Sequence, residues 1–123
     1  MAKRILVADD DADLRDLLGV SLRQQGYEVV LAEDGKEALQ LALVETLDLC
    51  LFDVMMPYID GYHVADEVTR RLGSKAPKIL IMTSRDTERE KGVTLMSGAV
   101  GAIQKPFPME ELRKTVAAML AQP

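Results

Sequence analysis

The chain has no tryptophan, two phenylalanines, three tyrosines, one cysteine and one histidine among its 123 residues. So small an aromatic inventory leaves little for nucleobases to stack on. There is no basic run either, since 15 Lys and Arg stand against 20 Asp and Glu for a formal charge of −5. A nucleic-acid surface needs clustered cations to displace counterions, so this composition argues against one. The lone Cys50 excludes an internal disulfide, and its place in an apolar run reads as a buried, inert thiol. No apolar stretch approaches the roughly 20 residues that span a bilayer. Lys3-Arg4 is followed by only a few apolar residues before Asp9, so nothing resembles a signal peptide. These absences predict a cytoplasmic protein that touches neither membrane nor nucleic acid.

What is present is ordinary for a globular domain: 48% apolar and 28% charged residues. The length suits one domain over 1–123 with a core of its own. Short apolar runs alternate with helical spacing along the whole chain. Strands are expected at 4–8, 27–32, 48–52, 78–82 and 100–103. Between them Leu14, Leu17, Leu18 and Leu22 fall at helical spacing up to Gly26, and further helices are expected at 35–45, 63–72, 86–98 and 109–121. The helix over 86–98 is the weakest, because Gly92 inside it costs about 1 kcal/mol relative to Ala. No long linker, low-complexity segment or internal repeat interrupts the order. Such alternation predicts an α/β fold, a single doubly wound (βα)5 domain with a parallel sheet covered by helices on both faces. The first, third and fourth strands are continuously apolar, as double coverage requires.

In folds of this kind ligands gather at the carboxyl ends of the strands. There the sequence places Asp9-Asp10-Asp11, Asp53, Thr83-Ser84 and Gln104-Lys105-Pro106. Asp53 ends the greasy run "LCLF" and is expected at the strand's open end rather than buried within it, because an unpaired buried carboxylate is costly. Asp9, Asp10 and Asp53 brought close would repel and raise one another's pKa. A hard divalent cation such as Mg²⁺ answers that repulsion. Lys105 adds a positive charge and Thr83 a hydroxyl donor, and metal, cation and hydroxyl together suit phosphoryl transfer. Asp11 or Asp13 is expected to cap the first helix. Two competing motifs fare worse. Asp9, Asp11 and Asp13 match the opening of an EF-hand loop, but Leu14 takes the glycine position and Val20 that of the bidentate glutamate. A dehalogenase-type phosphatase would need Thr or Val where Asp13 stands, and its late paired-acid metal motif is missing.

The segments "ILVADDDADLRDLL", "LDLCLFDVMMPYIDGYHV", "KILIMTS" and "GAIQKPF" resemble, in order and spacing, the receiver domain of two-component response regulators. The resemblance covers the full chain and implies the flavodoxin-like strand order 2-1-3-4-5. It implies that Asp53 is the phosphoacceptor and that Asp10, Asp53 and the Met55 backbone carbonyl bind Mg²⁺, with Asp9 acting through water. Thr83 and Lys105 would each hold a phosphoryl oxygen, and a cis bond before Pro106 would aim Lys105 inward. Such a domain catalyses only its own phosphotransfer and autodephosphorylation and is otherwise not an enzyme. The implied partners are a sensor histidine kinase or phosphotransfer protein and a downstream protein or output domain. A homodimer through the fourth helix, fifth strand and fifth helix is a further implication, as is movement of that surface on phosphorylation. A phosphorylation-independent interaction module and a small phosphatase are the alternatives.

Ala102 departs from the family pattern, which often has Tyr or Phe there to turn inward on activation. Met55 and Arg85 stand where the family tunes the lifetime of the phosphate. Tyr58 occupies a loop position where the family commonly has glycine. His63 reads as a surface residue, and Met55-Met56 as loop packing rather than a thioether metal pair, since Mg²⁺ prefers oxygen.

Overall fold

A computed structural model describes residues 2–122. The order is β1 (Arg4–Ala8), α1 (Ala12–Gln24), β2 (Glu28–Ala32), α2 (Gly35–Val44), β3 (Leu49–Asp53), α3 (Gly61–Leu72), a short 3-10 turn (Gly73–Lys75), β4 (Lys78–Thr83), α4 (Lys91–Met96), β5 (Gly101–Gln104) and α5 (Met109–Ala121). The strands form one parallel five-stranded sheet in the order β2-β1-β3-β4-β5. This is the flavodoxin-like order that the resemblance implies.

The continuous apolar strands arise because alternate residues face opposite layers. Leu6, Cys50, Phe52, Ile79 and Ile81 point toward Ala38 and Ala42 of α2 and Val64, Ala65 and Val68 of α3. Their neighbours Ile5, Val7, Leu49, Leu51, Leu80 and Met82 point the other way, onto Leu18 and Leu22 of α1 and Leu112 and Val116 of α5. Cys50 is fully buried, and burial holds its thiol protonated. The two cores clamp the central strands from both sides. Their carboxyl ends are thereby a fixed platform.

Helix starts are set by side chains that satisfy the otherwise orphaned amides. Asp11 accepts from Asp13 N–H and Leu14 N–H at the start of α1. Asp34 accepts from Glu37 N–H at 2.8 Å, while the Glu37 carboxylate reaches back to Glu33 N–H at 2.9 Å. Asp60 caps α3 through His63 N–H, so the helix begins at Gly61, two residues before the expected start.

The segment 86–98 is helical only over Lys91–Met96. Asp86 instead accepts from Glu88 N–H at 2.9 Å, a local bond that competes with helix formation. No side chain caps the shortened helix. The other correction concerns Asp53. It lies at the carboxyl end of β3 as expected, but inside the strand, paired with Met82 and only 7% exposed. What makes that burial tolerable is the ion pairing described below.

Candidate functional site

The register of the sheet brings the strand ends level. Ala8 lies beside Phe52, Asp53 beside Met82, and Thr83 beside Gln104. Asp9, one residue past β1, and Lys105, one past β5, therefore converge on Asp53 from opposite sides. Lys105 Nζ donates to Asp9 Oδ2 at 2.8 Å and to Asp53 Oδ1 at 3.1 Å. The Lys105–Pro106 bond is cis. Lys105 N–H also donates to the Thr83 carbonyl at 2.7 Å, tying the two strand ends together.

Asp9 is the anchor of this arrangement and is wholly buried. Its Oδ1 accepts from Asp11 N–H at 3.0 Å, and its own carbonyl accepts from the Arg15 guanidinium at 2.8 Å. Asp10, its neighbour, is exposed. Each of Asp9, Asp10 and Asp53 offers a carboxylate oxygen, and these oxygens lie within 4.8 Å of one another. Asp10, Asp53, Val54, Met55, Thr83, Ser84, Arg85 and Lys105 line an open cavity of about 250 Å³. The cavity thus holds all the predicted residues except Asp9, which stands behind it.

The loop after β3 is built to leave the cavity open. Gly61 N–H donates to the Val54 carbonyl at 2.9 Å, and a Cβ on Gly61 would run into the Asp53 backbone carbonyl. Only glycine allows that approach. Tyr58 has φ of 72°, the one positive φ outside glycine among the described residues. Its side chain is 80% exposed. The position therefore asks for glycine, and tyrosine is held there at some cost in strain.

Three carboxylates around one ammonium leave an excess of negative charge. Burial, followed by the charge of Asp9, pushes the Asp53 carboxyl up to about 6 against the opposing pull of Lys105. Burial works against the Lys105 ammonium, yet its hydrogen bonds to Asp9 and Asp53 hold its pKa above the ordinary lysine value. Closely spaced hard oxygen donors with uncompensated charge suit a hard divalent cation. The acidic triad fits a metal ion.

Sequence reasoning overlooked Arg15 and the bond that Arg85 makes to Thr83. Arg15 lies in the first turns of α1, where a cation opposes the helix dipole, and that mismatch was the available signal. Arg85 N–H donates to Thr83 Oγ1 at 3.0 Å and fixes the hydroxyl at the cavity wall. No sequence pattern announces that bond. His63 is on the surface as expected, its Nδ1 2.7 Å from Asp60 Oδ2.

A doubly wound sheet with an acidic, lysine-bridged pocket at its strand ends defines a class of signalling domain. Comparison with known proteins gives the family: residues 5–117 match the response regulator receiver domain. The chain belongs to that family, a component of two-component signalling rather than a true enzyme, and Asp9, Asp10 and Asp53 form its acidic phosphorylation pocket. The uncharacterized transcriptional regulatory protein YrkP of Bacillus subtilis is 45% identical over 98% of this chain and 50% of its own length. The response regulator MprA of Mycolicibacterium vanbaalenii is 43% identical over 98% of this chain and 51% of its own. The chain thus spans about half the length of these curated relatives. Among solved structures, the chemotaxis response regulator CheY4 of Vibrio cholerae superposes with a TM-score of 0.91 at 32% identity, covering 97% of this chain and 99% of its own. The response regulator TrrA of Thermotoga maritima, in complex with Mg²⁺ and beryllofluoride, gives 0.84 at 34% identity over 95% and 98%. Family membership implies a histidine kinase as partner. No helix among the described residues is long and apolar enough to cross a membrane.

Proposed function

We propose that residues 1–123 act as one receiver domain whose Asp53 takes a phosphoryl group from the phosphohistidine of a sensor kinase or phosphotransfer protein. An Asp53 carboxylate oxygen attacks phosphorus in line as the P–N bond breaks, and the imidazole nitrogen leaves with the bonding pair. The observation that carries this reading is Asp53 at the cavity floor, bridged by Lys105 to the buried Asp9. That bridge orients the carboxylate and leaves a cation beside the incoming phosphoryl oxygens. Thr83 lines the same cavity and offers its hydroxyl to another oxygen.

The cation the pocket would take is Mg²⁺: Asp10, Asp53 and the Met55 backbone carbonyl would hold it, with Asp9 acting through water. When bound it neutralises charge on the transferring group. The structure of the related TrrA in complex with Mg²⁺ and beryllofluoride supports this choice. Asp10 is not the nucleophile, because Lys105 orients Asp53 instead, and this disfavours a phosphatase of the dehalogenase type. Transfer replaces the single charge of the Asp53 carboxylate by a phosphoryl group carrying about −2, a net gain of about −1, and pulls on Thr83 and Lys105, moving the surface of α4, β5 and α5. A downstream protein, an output domain or a second copy reads that surface, and the domain works in the cytoplasm.

Acetyl phosphate with Mg²⁺ tests this directly by intact mass. The wild-type chain gains one phosphoryl group, and Asp53→Asn or chelation abolishes the gain. Labelling of Asp53→Asn at full stoichiometry contradicts the assignment.

A further inference from the structure

Two cations line the cavity, and only one is committed to it. Lys105 is already shared between Asp9 and Asp53. Arg85, the other, sends its guanidinium away, to Glu90 Oε1 at 3.2 Å. Its backbone is fixed beside Thr83 by the bond to Oγ1, but its side chain is 67% exposed and turns without repacking any core. Glu90 differs, being only 16% exposed and immediately preceding α4. The Glu90 carbonyl accepts from Thr94 N–H at 2.9 Å, so Glu90 also begins the hydrogen bonding of that helix.

Resting on the reading above, we propose that Arg85 is a second cationic ligand of the phosphoryl group, held in reserve by Glu90. Its transfer from Glu90 to the phosphoryl oxygens releases the start of α4. The physical case is a competition between acceptors. One carboxylate holds Arg85 now, through an exposed pair of the kind that contributes little stability. A phosphoryl group brings about −1.5 to −2 charge and oxygens whose spacing suits the guanidinium fork. The exchange therefore favours the phosphoryl group.

It also gives this chain a path from the pocket to α4 that needs no aromatic ring at Ala102. A short helix with no side-chain cap responds readily to loss of the Glu90 contact.

A double-mutant cycle with beryllofluoride and Mg²⁺ as the probe tests the exchange in the full chain. Glu90→Gln removes the competitor and tightens beryllofluoride binding by about two- to fivefold, the scale of an exposed pair. Arg85→Ala weakens binding by about three- to tenfold, the net scale of one hydrogen bond. Added to Arg85→Ala, Glu90→Gln changes nothing further. Amide exchange over 91–96 quickens in wild type on adding beryllofluoride and fails to respond in Arg85→Ala. Binding that ignores Arg85→Ala, or a Glu90→Gln effect that persists with Ala at 85, overturns the proposal. Failure of the wild type to bind beryllofluoride contradicts the phosphoacceptor reading instead, so the two failures are separable.

Discussion

Asp53 is a carboxylate that the folded protein keeps ionised at a cost. Its pKa stands at about 6 against an ordinary 3.8 because burial, then Asp9, disfavour the charge. A carboxyl whose folded pKa is raised destabilises the fold wherever it is ionised. The penalty is full above about 6, shrinks as pH falls toward 3.8, and is gone below. Two units correspond to roughly 3 kcal/mol. Asp53→Asn, neutral and nearly isosteric, should therefore stabilise the metal-free protein by about 1–3 kcal/mol near pH 8. Urea unfolding across pH checks this, with the gain fading as pH drops through about 6. An unchanged or lowered stability near pH 8 contradicts it. Mg²⁺ should erase the difference by neutralising the charge that causes it. At this scale the sequence showed which residues meet, because strand ends can be read from apolar runs. It did not show that Asp9 is sealed beneath Lys105 while Asp10 faces out. Which of two adjacent carboxylates turns inward depends on side-chain packing that no local pattern records.

Among the elements, the loop after β3 and the caps make different demands. Gly61→Ala drives a methyl into the Asp53 carbonyl and should cost about 1–3 kcal/mol, the range for overpacking. It should also slow phosphorylation, because the backbone that must yield carries Asp53. Asp34→Ala removes a helix cap remote from the cavity and should cost about 1 kcal/mol. It should leave phosphorylation unchanged, so urea unfolding beside labelling kinetics separates the two. Amides in Lys91–Met96 should exchange faster than those in α5, since α4 is six residues long against thirteen and contains Gly92. Nearly every strand and helix was legible from periodicity and breakers. The fourth helix was not read at its true length, because 86–98 has helical spacing while Asp86 draws its first residues into a turn. Arg85 escaped notice as a partner of Thr83 for a related reason: the bond comes from its backbone, which has no sequence signature.

For the molecule as a whole, the two cores and the sheet order fix where chemistry can occur. Alternation along β1, β3 and β4 feeds both layers at once, so the strands cannot slide without exposing apolar side chains. That constraint holds Asp9, Asp53, Thr83 and Lys105 level across strands that lie far apart in sequence. The fold class was readable for the same reason, since double coverage leaves continuous apolar runs. The charge balance of the pocket was readable only in outline, because it depends on distances. The central claim is that this platform presents one nucleophile, Asp53. An acyl phosphate is reduced by borohydride to the corresponding alcohol, so a phosphorylated aspartate is converted to homoserine. After treatment with acetyl phosphate and Mg²⁺, then borohydride and proteolysis, peptide sequencing by mass spectrometry should find homoserine at position 53 and aspartate retained at 9 and 10. Homoserine at 9 or 10, or at no position despite phosphoryl incorporation, contradicts the account.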